Sequence, residues 1–88
     1  MYQIMRITDK DGVTKADPTS LAHQGCTGDA KMEEGCVLMH CRYDHHGQPC
    51  DRYIQTSLVK IWKKDKETGQ IVVETMNSIY HLDPVHME

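Results

Sequence analysis

Residues 52–63 read R-Y-I-Q-T-S-L-V-K-I-W-K, residues 64–69 read K-D-K-E-T-G, and residues 70–82 read Q-I-V-V-E-T-M-N-S-I-Y-H-L. The two outer stretches are dense in β-branched and aromatic side chains. The inner one holds the Asp, Lys and Gly that turns favour. Two such runs around a polar, Gly-bearing break predict a β-hairpin. Its apolar residues change parity along the chain. Ile54, Leu58 and Trp62 fall on one side of a straight strand, and Tyr53, Val59 and Ile61 fall on the other. Ile71, Val73 and Thr75 are followed by Tyr80 and Leu82 on the opposite parity. A bend or bulge near Thr56-Ser57, and another near Asn77-Ser78, would bring both sets to one interior. Two such corners predict a strongly curved sheet.

Working outward, C-V-L-M-H-C-R-Y at 36–43 reads as a strand with Val37, Met39, Cys41 and Tyr43 toward the core. Residues 44–51, D-H-H-G-Q-P-C-D, read as a turn, and the Gly-rich residues 25–35 as connections around a short strand near 29–33. Residues 2–8 alternate as a strand, with Tyr2, Ile4 and Arg6 on one face and Gln3, Met5 and Ile7 on the other. Asp17 as cap and Pro18 at the first helical position allow one short helix near 17–24. Pro84 ends the last strand. The expectation is a mostly β fold, a small antiparallel barrel or a strongly curved sheet of five to six strands, SH3-like or OB-like in size. Residues 1–84 form its single domain and residues 85–88 a frayed tail.

The strings T-S-L-V-K-I at 56–61 and E-T-M-N-S-I-Y-H-L at 74–82 resemble the C-terminal hairpin of small uncharacterised bacterial and phage β proteins. Those hairpins open on Thr-Ser-x-Val and close on Asn-Ser-x-Tyr-x-Leu. The resemblance covers about the last third of the chain. It implies a compact β fold of mobile-element origin and carries over no catalytic residue.

At 88 residues the chain is short. Such a chain buries only about 60–65% of the surface it exposes unfolded, which leaves little material for both a core and a deep cleft. Size thus favours a binding module over an enzyme. Ten basic and thirteen acidic residues give a net charge of −3, spread evenly along the chain, so no cationic footprint for DNA or an anionic membrane stands out. No apolar run approaches the roughly 20 residues of a membrane span. The start, M-Y-Q-I-M-R-I-T-D-K, does not read as a secretory signal, so the expected location is the cytoplasm. Four cysteines there are expected as free thiols.

Three constellations bear on chemistry. Cys36, His40, Cys41, His45, His46 and Cys50 crowd into fifteen residues. Cys41 with His45 and His46 with Cys50 offer a C-x3-H and an H-x3-C pair for zinc. No C-x2-C knuckle is present and Cys41 points to the core, so the expectation is no metal and no cofactor. Zinc on Cys41, His45, His46 and Cys50 is the alternative. A Cys–His nucleophile is not expected: His40 and Cys41 face opposite ways, and Cys36 and His40 lie about 13 Å apart along a strand. Trp62 and Tyr53 with Lys60, Lys63 and Lys64 form a basic-aromatic set that serves either as a protein contact or as a stacking platform for single-stranded nucleic acid. The residues as a whole point to a non-catalytic protein-binding module, such as a phage-type inhibitor or adaptor, whose partner is an unidentified protein. A nucleic-acid-binding barrel built on Trp62 and the lysines is the alternative to it. An exposed edge strand also allows a homodimer.

Overall fold

The computed structural model describes residues 1–85 of the chain. Its seven strands are β1 (Tyr2–Thr8), β2 (Thr27–Glu33), β3 (Cys36–Tyr43), β4 (Pro49–Gln55), β5 (Val59–Lys64), β6 (Ile71–Thr75) and β7 (Ile79–Pro84). One helix, α1 (Pro18–His23), follows β1. Asp17 caps it by accepting from the Ser20 amide at 3.0 Å, and Pro18 opens it, as its local sequence dictates.

The strands form one antiparallel sheet in the order β4-β3-β2-β1-β7-β6-β5. Flat, such a sheet would hold its two edges about 29 Å apart at the usual strand spacing of about 4.8 Å. Yet β4 and β5 are joined by residues 56–58 alone, a link that spans no more than about 14 Å. The sheet must therefore roll. The link is docked at the turn end of β3: the Thr56 amide donates to Val37 O at 3.0 Å, the Val37 amide to Thr56 Oγ1 at 3.0 Å, and the Val59 amide to Gly35 O at 2.8 Å. The curved antiparallel sheet matches expectation. The barrel does not close, because among the described residues no ladder joins β4 to β5.

The strand count is corrected from five or six to seven. The corner expected at Asn77-Ser78 is a chain reversal. The Thr75 amide donates to Ser78 O at 2.9 Å, and Glu74 pairs with Ile79 across a tight hairpin. Reversal achieves the parity change that a bulge would have given. Val73 pairs with Tyr80 and Ile71 with Leu82, so inward positions pass from odd to even numbers. At Thr56-Ser57 the chain does turn a corner, carrying the inward set from Ile54 to Val59. The expectation that both sets share one interior is corrected: Leu58 ends outside at 65% exposure, over Gly35, and Tyr53 and Ile61 are exposed as well, at 64% and 41%. A bulge between Val59 and Ile61 then lets Trp62 lean on the core as well.

Strand β1 needs the same device. Ile4 and Ile7, three apart, are both 2% exposed, which a regular strand forbids. A register shift between Ile4 and Arg6 pushes Met5 outward and resets the phase. The expected placing of Ile7 with Met5 is corrected accordingly. The core then gathers Ile4 and Ile7 with Val37, Met39, Cys41, Ile54, Ile71, Val73 and Leu82. Val85 still bonds to the first residue, its amide donating to Met1 O at 2.9 Å; the rest of the expected tail lies outside the described residues. No helix among them is long and apolar enough to cross a membrane.

Candidate functional site

Strands β2, β3 and β4 turn one face to the core and leave the other uncovered. Burying Val37, Met39 and Cys41 sends Leu38, His40 and Arg42 outward. Strand register then sets their neighbours. Asp29 pairs with His40 and His40 with Tyr53, so these three form one row across the face. Lys31, Leu38 and Gln55 form the next row. The curved face holds an open depression of about 520 Å³ lined by Asp29, Ala30, Lys31, Glu33, Leu38, His40 and Tyr53.

His40 organises this face. Its Nε2 lies 2.5 Å from Asp51 Oδ1. An ionised carboxylate only accepts, so Nε2 carries the hydrogen, and in the neutral ring Nδ1 remains an acceptor. The imidazole also stacks on Tyr53, with ring centroids 4.6 Å apart and planes 12° from parallel. Tyr53 is thereby fixed although it is 64% exposed. The surrounding charges are paired: Lys31 with Glu33 at 3.3 Å and Arg42 with Asp29 at 3.6 Å. A His–Asp dyad can hold and pass a proton. Among the described residues, no hydroxyl or thiol is hydrogen-bonded to the His40 ring.

The residues singled out from the sequence are distributed as follows. Tyr53 stands on this face, on its edge strand β4. Trp62 is half-buried on β5, packed against the core. Lys60, Lys63 and Lys64 are exposed on β5, at the opposite edge of the sheet from Tyr53. The basic-aromatic set is thus divided between two edges. Of the zinc alternative, Cys41 is buried and Cys50 half-buried on the inner side, with Cys50 Sγ 3.6 Å from Cys41 O. His45 and His46 sit exposed in the β3–β4 turn, ring against ring at 3.9 Å. Among the described residues no three His, Cys, Asp or Glu side chains are disposed to share one ion.

The inner side holds a thiol layer instead. Cys26 and Cys41 are both fully buried, and the Arg52 guanidinium donates to Ala22 O at 3.2 Å and to Cys26 Sγ at 3.3 Å. Burial pushes the Cys41 thiol up to about 11, and Cys26 and Cys50 add to the effect. Such a thiol is a packing group and a poor nucleophile.

His40 with Asp51 is the pairing that sequence reasoning missed. The signal was present in the register of the β3–β4 hairpin, which puts a histidine across from an aromatic residue and diagonal to a carboxylate. Compared with protein-family models, curated proteins and solved structures, the chain matches none. What fold and site define is a small antiparallel β domain with an uncovered, polar-aromatic sheet face.

Proposed function

We propose that the chain is a non-catalytic protein-binding module whose partner docks on the outer face of β2–β4. The observation that carries this reading is Tyr53, an exposed aromatic ring held in one orientation by the His40 stack and, through His40, by Asp51. Pre-ordered aromatic groups make good interface anchors, because little side-chain freedom is lost when the partner arrives. Leu38 supplies apolar floor beside it, and the paired charges supply a polar rim. A phage-type inhibitor or adaptor would work through such a face. The four free thiols suit a reducing compartment, the cytoplasm.

Binding through Trp62 and the β5 lysines takes second place. A tryptophan already leaning on the core offers less ring face for a base to stack upon.

The test is to select binders from a displayed peptide library on the immobilised protein and to map them by amide chemical shifts. Binders that move residues 29–33, 38–42 and 51–55, and that are lost with Tyr53→Ala, support the reading. Binders that map to β5, or oligonucleotide binding that vanishes with the β5 lysines, would replace it.

A further inference from the structure

The binding-face reading above leaves the partner's chemistry open, and three observations on that face narrow it. The first is charge. Lys31 and Arg42 already have the carboxylates Glu33 and Asp29 as partners, whereas Asp51 has no Lys or Arg partner among the described residues, and His40 takes only one of its two oxygens. Asp51 is 85% exposed and presents its second oxygen to the surroundings.

The second observation is the orientation of Tyr53. One side of its ring is covered by His40, which belongs to β3. The planes are nearly parallel, so the uncovered side faces away from β3, toward the free edge of β4. Asp51 lies two residues back on the same face of that strand, about 7 Å along it.

The third is the edge. β4 ends the sheet and offers a row of backbone groups without a strand partner. The other end, β5, is guarded by Lys60, Lys63 and Lys64 and interrupted by a bulge, devices that keep foreign strands away. β4 has Pro49, Arg52 and a register shift at its start, but it carries no lysine and its residues 52–55 pair regularly with β3.

From these we infer that the partner is an extended, arginine-bearing peptide segment that adds to the free edge of β4, its guanidinium lying on the open face of Tyr53 and bonding to Asp51. A strand laid along β4 points every second side chain onto the outer face, directly beside Tyr53 and Asp51. A guanidinium suits the place because it is flat, always charged, stacks on aromatic rings and bonds carboxylates through a planar fork. The net charge of −3 favours the same sign of partner.

The experiment uses three fluorescein-labelled nine-residue peptides of alternating threonine and a test residue: arginine, citrulline or glutamate. Citrulline keeps the shape and planarity of arginine without its charge. Binding is read by fluorescence anisotropy and mapped by amide shifts on the full chain. The arginine peptide is expected to shift residues 50–55 and to bind roughly tenfold or more tightly than the citrulline peptide. Asp51→Asn is expected to remove that preference. Asp51 is so exposed that the fold should be kept, and circular dichroism checks this. Lys63→Ala with Lys64→Ala should leave the preference intact. Equal binding of arginine and citrulline peptides, with shifts still on residues 29–33, 38–42 and 51–55, would overturn the arginine inference while leaving the face reading standing. Library binders that map elsewhere would overturn both. Dimers formed through β4, detected by concentration-dependent tumbling and abolished by Tyr53→Ala, would make a second copy the occupant and overturn the inference.

Discussion

Replacing Gly28 by Ala should cost more than any exposed substitution in the chain, and it should disturb the outer face of β2–β4 from the inside. Gly28 sits on β2 opposite Cys41, at a register shift, where β2 and β3 approach closely. A Cβ added there would lie 2.0 Å from the His40 carbonyl oxygen and 2.9 Å from Cys41 Cα. Both obstacles are backbone, so no side chain can swing aside. A comfortable carbon–oxygen contact is more than about 3 Å, so the two strands must part by about 1 Å or more. That weakens at least two ladder hydrogen bonds, worth about 1 kcal/mol each, and adds overpacking strain of about 1–3 kcal/mol. The sum is about 3–5 kcal/mol. A domain of this length holds only about 4–13 kcal/mol in total. With a urea slope near 1 kcal/mol per molar, the midpoint should fall by about 3 M or more. Urea unfolding followed by far-UV circular dichroism and by Trp62 fluorescence measures this. Gly47→Ala is the control: its φ is +78° but nothing lies within 4 Å of the added carbon, so it should lose only the left-handed backbone penalty, about 1–2 kcal/mol. The displaced strand also carries His40, so the His40 ring signals should shift with Gly28→Ala and stay put with Gly47→Ala. If Gly28→Ala unfolds at the same urea concentration as Gly47→Ala, the close β2–β3 crossing is wrong.

The thiol of Cys41, held near 11 against an ordinary 9.0, should show an ionised fraction at pH 8 about a hundredfold below that of a free thiol. Iodoacetamide labelling read by mass spectrometry should therefore mark Cys36 well before Cys41 in the folded chain, and mark both equally in urea. Two histidines should govern mild-acid stability. His23 is held below its ordinary value by burial and then by the Arg52 charge, and His81 by burial and then by Arg6. The unfolded chain therefore takes up more protons below about pH 6.5, so stability that is full above that pH is lost as pH falls toward the folded values. The urea midpoint should drop between pH 7.5 and 5.5, and His23→Gln with His81→Gln should flatten the drop; a midpoint that rises on acidification contradicts the burial of both rings. Thr56→Val should strand the Val37 amide, which donates to Thr56 Oγ1 at 3.0 Å, and cost about 1–3 kcal/mol in the same unfolding measurement.

Local chemistry was legible in the sequence wherever it depends on neighbours along the chain. Asp17 and Pro18 announce α1 because capping needs only the next three residues. β3 came out at its expected bounds because Val37, Met39 and Cys41 alternate cleanly and Gly35 precedes them. The parity breaks in β4–β5 and β6–β7 were also legible, but their physical solution was not. A face change can be met by a bulge or by reversing the chain. Met76, Asn77 and Ser78 suit either, and only the partner strand decides between them. The bulge at Met5 was hidden for the same reason: it exists because β7 and the core require both Ile4 and Ile7, and no residue near Met5 advertises it. The His40–Asp51 pairing depends on how β4 registers against β3, which includes a shift between Cys41 and Tyr43. A reading of single strands cannot supply that register.

The roll of the sheet and the asymmetry of its edges have one origin. Because residues 56–58 are too few to span a flat sheet, β4 and β5 must come round toward each other, yet they stop short of pairing. That leaves two edges where a closed barrel would have none. Unpaired edges invite aggregation, and the chain treats its two differently. β5 has lysines and a broken ladder. β4 has Pro49 at its start and then Asp51, Tyr53 and Gln55 as its outward residues. The edge without lysines is also the one beside the stacked tyrosine and a highly exposed carboxylate whose charge partner among the described residues is His40, and on the proposed reading this makes β4 the place where binding should begin.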